Sequence, residues 1–187
     1  GEDIRRLGEP KLFWGVSGGC VDSMVANRTA SGKRRKQDDY TPGGQNTRRP
    51  DRAVLVYANL IRSKFKNTCP IVLGGIEASL RRIAHYDYWS DSVRRSVLLD
   101  AKADFLLYGM AERAVLELAG ALRDGRDPYS IRGLCYAAPE CPTDYLELPS
   151  FEEVSGRSRQ AGKAFTKMFR RFYENNDPLT ARGLAQL

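Results

Sequence analysis

Gly74 and Gly75 stand between a short apolar run, residues 71–73, and a stretch that carries Glu77, Arg81, Arg82, His85, Tyr86, Asp87, Tyr88, Trp89 and Asp91. A glycine pair after a strand lets backbone approach a ligand or partner with no Cβ in the way, at the strand end where open α/β sheets bind. Arginine, tyrosine and tryptophan are the residue types that carry contact energy where protein surfaces meet. An anion is disfavoured there, because Glu77 in the first turn of the following helix already occupies the positive end of its dipole. We therefore read Gly74, Gly75, Glu77, Arg81, Arg82, His85, Tyr86, Asp87, Trp89 and Asp91 as a face turned toward a neighbouring domain or a neutral substrate. His85 is the sole histidine. Cysteines and carboxylates form no ligand pattern around it, so a hydrogen-bonded structural role is expected and no metal site is assigned.

Ser17, Gly18, Gly19, Asp22 and Ser23 form a second glycine turn after an apolar run (SGGCVDS). It resembles the SGGxDS loop of ATP pyrophosphatases, whose amides cradle pyrophosphate, but has one residue too many and no lysine after the glycines. A structural turn is the preferred reading, and a nucleotide-binding enzyme built on 17–23 is kept as an alternative. A third candidate is the basic stretch 33–52, with Lys33, Arg34, Arg35, Lys36, Arg48, Arg49 and Arg52. An RNA-binding module would want aromatic platforms among these charges, and the stretch offers only Tyr40, so nucleic acid is not favoured. Lys163, Lys167, Arg170 and Arg171 read as the polar face of the last helix.

The elements that must position these groups alternate. Strands are expected at 11–16, 71–73, 104–108 and 131–137, and helices at 50–66, after Gly75, from Asp91 or Ser92, at 111–124, and from a capping box at Ser150 and Glu153 to about Tyr173. Ile76, Leu80, Ile83 and Ala84 are spaced as the buried stripe of the helix after Gly75. The fold class is a three-layer α/β domain, flavodoxin- or Rossmann-like, with a parallel sheet of about four strands, flanking helices and a C-terminal helical extension. The expected division is 1–149 for the α/β domain and 150–187 for the extension.

The chain has 187 residues, 42% hydrophobic, with 30 Lys and Arg against 23 Asp and Glu, a formal charge of +7. It can bury a core, and no apolar run reaches the ~20 residues of a membrane span. Four cysteines without a C-x-x-C pair are expected as reduced thiols in a cytoplasmic protein.

Residues 13–24 (FWGVSGGCVDSM), 39–44 (DYTPGG), 50–62 (PDRAVLVYANLIR), 71–91 (IVLGGIEASLRRIAHYDYWSD) and 103–112 (ADFLLYGMAE) together resemble the YgiQ-like family of radical S-adenosylmethionine (SAM) proteins. The resemblance implies a cobalamin-binding-like domain that precedes a radical SAM barrel, with the CxxxCxxC cluster motif beyond Leu187. It implies a [4Fe-4S] cluster and SAM in the full-length protein and no cofactor in this portion. Cobalamin is disfavoured because D-x-H-x-x-G is absent. The implied role is accessory, covering or shaping the barrel of an enzyme whose substrate these residues do not name. The implied partner is the barrel of the same polypeptide. The family's domains carry a further strand–helix–strand unit before the equivalent of Lys11, so strand 11–16 is expected to be an outer edge, covered by the first ten residues or pairing in a homodimer.

Overall fold

The computed structural model describes residues 2–177 and 179–187. In chain order the elements are α1 (Glu2–Arg6), β1 (Trp14–Ser17), α2 (Ser23–Asn27), α3 (Ala53–Lys64), β2 (Ile71–Gly74), α4 (Gly75–Leu80), β3 (His85–Asp87) and β4 (Ser92–Arg94). They continue with α5 (Val97–Asp100), β5 (Phe105–Leu107), α6 (Glu112–Asp124), β6 (Leu134–Tyr136), β7 (Leu146–Leu148), α7 (Phe151–Ser155), α8 (Arg159–Glu174) and β8 (Leu184–Gln186). Two compact units result. The first runs to Arg82 and resumes over Val97–Ala137; the second comprises Ile83–Ser96 and Ala138–Leu187. The boundary expected at 149/150 falls inside the second unit.

The first unit is built on a sheet of order β1-β2-β5-β6, with β1 outermost. β1, β2 and β5 are parallel, and their side chains alternate between two covered faces. Ile71, Leu73 and Leu106 pack with Val54, Ala58 and Ile61 of α3 and with α5. Val72, Phe105 and Leu107 pack with Ala114 and Leu118 of α6. Burial on both faces is why these strands read as continuous apolar runs. β6 differs from the expected parallel set: it runs antiparallel to β5. Tyr108 N donates to Gly133 O (3.1 Å), so β6 enters beside the finish of β5 and runs back along it. Asp104 closes the lower end of the sheet, accepting from Ile71 N (2.7 Å) and Arg62 (2.8 Å).

The second unit holds the hairpin β3–β4, the parallel pair β7–β8, and helices α7 and α8 around Ala84, Leu148, Val154 and Met168. Two sequence expectations fail here. The helix expected from Asp91 or Ser92 is instead the second strand of the hairpin, followed by the single turn α5. Ser90 donates to Asp87 (2.5 Å) and Tyr86 OH to Asp91 (2.6 Å), local bonds that favour a turn over a helix. The helix expected to run from Ser150 to about Tyr173 is broken in two. Its capping box forms, but Gly156 is extended, and Ser158 caps a new helix by accepting from Ala161 N (3.1 Å). No described helix is long and apolar enough to cross a membrane.

Candidate functional site

In the first unit the three parallel strands end in Ser17, Gly74 and Leu107. The turn after β1 and the start of α3 both meet the side chain of Glu77, which lies on the α4 that follows β2 and is 2% exposed. Its carboxylate accepts from Ser23 N (3.0 Å) and Val54 N (3.1 Å), first-turn amides of α2 and α3. Neither helix has an acidic residue in its own first turn, so the carboxylate of α4 serves the orphan amides and positive ends of both. Those bonds offset the cost of burying the charge.

Neighbouring groups lock this arrangement. Asp22 caps Met24 N (2.8 Å) and pairs with Arg81, which also donates to Glu77 O (3.1 Å). Ser23 Oγ accepts from Ala53 N (3.3 Å). A Cβ on Gly18 would stand 2.6 Å from Glu77 Oε2, so glycine there makes room for the carboxylate. Gly75 has φ +80°, and a Cβ on it would meet Ser17 Oγ at 2.6 Å. Ser79 Oγ donates to Gly75 O (2.8 Å) and accepts from Gly109 N (3.1 Å). Arg82 donates to Ser79 O (2.5 Å) and lies 4.3 Å over the Tyr108 ring.

Three amides at the 17–23 turn and the helix start after it, where a phosphate would bind, are therefore engaged: Ser23 N by Glu77, Met24 N by Asp22, and Gly19 N by Ser17 Oγ (3.1 Å). Two carboxylates also face that turn. The apolar stripe expected of α4 is inverted. Glu77, Ala78 and Ser79 are buried, whereas Ile76 is 44% and Leu80 59% exposed, and Ile83 and Ala84 belong to the second unit. The two helix starts demand an anion, and turning Glu77 inward swings Ile76 and Leu80 outward. Met110, next to the Gly109 that binds Ser79, is 89% exposed.

The rest of the predicted face belongs to the second unit. His85 is buried, with Nδ1 3.2 Å from Ile83 O, and Asp87 is buried, accepting from Ser90. Tyr86 and Tyr88 are each half exposed, while Trp89 is partly covered. The hydrogen bond to Asp91 holds the Tyr86 hydroxyl above its ordinary titration range. The structure thus gathers Gly74, Gly75, Glu77, Arg81 and Arg82 around one clasp and His85, Tyr86, Asp87, Trp89 and Asp91 around one hairpin. The clasp itself escaped the sequence reading. Its signal was the start of α3, which has neither an acidic first turn nor a side-chain cap of its own.

The basic stretch is internally wired. Arg28 pairs with Asp51 (2.8 Å) and Arg49 with Asp38 (3.1 Å). Arg34 donates to Asn46 O (3.1 Å) and Arg35 to Val25 O (3.0 Å), while Asn46 Nδ2 donates to Arg35 O (3.1 Å). The Thr41 hydrogen bond, then the Tyr40 amide and Arg49, hold the Asp38 carboxyl below its usual range against burial. Burial pushes Asp51 up, but bonds from Asn27 and Arg28 and the charges of Arg28 and Arg34 prevail and hold it low.

The thiols do not fit an iron–sulfur cluster. Burial pushes the Cys135 thiol up to about 12 despite the charge of Arg82, Cys69 Sγ faces Pro10 O (3.4 Å), and Cys141 Sγ faces Pro142 O (3.5 Å). Cys20 is exposed, and among the described residues no three His, Cys, Asp or Glu side chains are grouped to hold a metal ion.

Comparison with known proteins covers the whole chain. Residues 1–187 match the family described as Radical SAM N-terminal. A UPF0313 protein of Fusobacterium nucleatum is 58% identical over 186 residues, 99% of this chain and 32% of that protein. One of Thermotoga neapolitana is 55% identical over 166 residues, 87% of this chain and 29% of that protein. One of Methanocella arvoryzae is 48% identical over 186 residues, 97% and 30% respectively. The chain therefore spans under a third of the length of these relatives. Among solved structures, the radical SAM methyltransferase TsrM from Kitasatospora setae, with tryptophan and a SAM analogue bound, is similar at TM-score 0.45 and 20% identity, over 74% of this chain and 20% of that one.

Proposed function

Because this chain belongs to the Radical SAM N-terminal family, we propose that it is the accessory domain of a longer radical SAM enzyme, covering or shaping the catalytic barrel of the same polypeptide. The family match bears out the YgiQ-like resemblance read from the sequence. In this proposal the [4Fe-4S] cluster and SAM belong to the barrel, where they supply the radical chemistry, and this chain supplies shape. Cobalamin is not invoked. The cytoplasmic location expected from thiol usage belongs to the same proposal.

The observation that carries the reading is the exposed apolar set Ile76, Leu80 and Met110 at the carboxyl edge of the sheet. Burying Glu77 in their place makes sense when that edge is later covered, because apolar groups clustered on a surface mark an interaction site. Tyr86 and Tyr88 offer a second contact region, on the hairpin. The nucleotide reading loses support because Glu77, Asp22 and Ser17 already take amides of that turn, and the RNA reading of 33–52 because Arg34, Arg35 and Arg49 are spent on bonds within the chain.

The test uses the full-length protein with its cluster reconstituted. Leu80→Asp with Met110→Asp should reduce SAM cleavage and open the polypeptide to proteolysis at the end of this domain, while the urea midpoint of the 187-residue chain stays unchanged. Unaltered cleavage and proteolysis would refute the docking face.

A further inference from the structure

The second basic region behaves unlike the first. On α8, Arg159, Lys163, Lys167 and Arg170 recur along one flank, all exposed, and among the described residues none of the four has an ion-pair partner. Residues four apart on a helix are about 6 Å apart along its axis, a spacing suited to successive phosphates of an extended strand. Among the described residues, Glu174 is the one acidic side chain lining this shallow trough.

Beside the cations runs an aromatic ladder. Phe165 and Phe169 have ring centroids 4.9 Å apart, Phe169 and Tyr173 6.1 Å apart, and Tyr173 is 65% exposed. Thr166 and Arg170 border both features, so rings and charges share one flank. The buried side of the helix is committed elsewhere: Met168 is fully covered, and Ala161 nearly so.

We propose that this flank of α8 binds single-stranded RNA. The cations hold phosphates, and unpaired bases stack on Tyr173 and pack against the partly exposed Phe169 beside it. A membrane surface would need the apolar side of the helix, which Met168 and Ala161 have already buried. A duplex hides the faces of its bases, and an acidic peptide carries its charges on carboxylate side chains that offer the rings nothing to stack on. An open strand satisfies both halves of the surface. The proposal is independent of the accessory role.

The test measures binding of the 187-residue chain to a labelled oligouridine of about twelve nucleotides, inside the range of known single-strand site sizes. Binding should fall steeply with salt. Lys163→Glu with Lys167→Glu should weaken it by about tenfold or more and flatten the log–log salt slope by about 1.4, at about 0.7 per lost phosphate contact. Lys163→Gln with Lys167→Gln gives the same reading without introducing negative charge. Tyr173→Ala should weaken binding by about fivefold or more, as lost base stacking does. Unchanged circular dichroism confirms that the variants are folded. The proposal is overturned if oligoglutamate or duplex RNA competes as well as the single strand, if a DNA strand of matching sequence binds more tightly, or if the variants bind like the parent chain.

Discussion

In residues 74–82 the charged groups turn inward: Glu77 accepts from the starts of α2 and α3, Arg81 pairs with Asp22, and Arg82 lies over Tyr108. In residues 83–91, where Tyr86, Tyr88 and Trp89 add the aromatic rings that 74–82 lack, Asp87 and His85 are tied within a hairpin while Tyr86 and Tyr88 stand half exposed. The two stretches adjoin in the chain yet belong to different compact units. Density of reactive side chains thus marks the segment without assigning its role. In the first half the polar groups fasten the turns and the apolar ones face out; in the second the backbone hairpin does the fastening and the rings are left for contact.

The sharpest way to break this contrast is to remove the fastener. Glu77→Ala leaves the two buried helix-start amides, Ser23 N and Val54 N, without their carboxylate, and should cost about 3–5 kcal/mol in urea unfolding of the chain. Glu77→Gln should cost about half as much, because an amide side chain offers one acceptor oxygen to two donors. Asp91→Ala in the hairpin, which removes one exposed hydrogen bond at a residue with φ +47°, should cost about 1 kcal/mol or less. Equal effects at the two sites would erase the distinction.

Gly18→Ala comes next, at about 1–3 kcal/mol, because its Cβ would fall 2.6 Å from Glu77 Oε2 and overpack the clasp. Gly15→Ala on β1, just before that turn, where a Cβ meets nothing within 4 Å, is the control and should be silent.

A smaller effect separates the clasp from the basic loop by pH. Asp38 and Asp51 are both held below the ordinary carboxyl value of 3.8. Their contribution is therefore fully present above that value and is lost as pH falls through the lower native-state value. Asp38→Asn and Asp51→Asn should lower the urea midpoint at neutral pH, and the gap to the parent chain should close on acidification below 3.8. A gap that persists in acid would mean the carboxylates act through packing alone.

Much of the first unit was legible because its signals are local. Strands at 71–73 and 104–108 are apolar on both faces, Gly125 stops α6 with φ +63°, and the Ser150–Glu153 capping box forms as read. What was not legible depends on distant partners. Ile76 and Leu80 have the spacing of a buried stripe, and only the needs of Ser23 and Val54, more than twenty residues upstream, explain why Glu77 displaces them. The β7–β8 pair joins Leu146 to Leu184 across the whole of α8, a pairing no local pattern announces. The hairpin was missed because Asp91 takes φ +47°, a conformation the composition of the segment does not signal.

The smallest effects belong to the exposed rings. Tyr86→Phe and Tyr88→Ser should leave the urea midpoint of the chain unchanged, and any consequence should be visible only in the longer polypeptide, as weaker protection of the hairpin from protease.

Amide hydrogen exchange, compared between the 187-residue chain and the full-length protein, tests the accessory-domain account most directly. The account predicts that amides of α4 and of residues 108–111, beside the exposed Ile76, Leu80 and Met110, exchange markedly more slowly in the full-length protein, while those of β2 and β5 are protected in both. Equal exchange at α4 and 108–111 in the two proteins would contradict it.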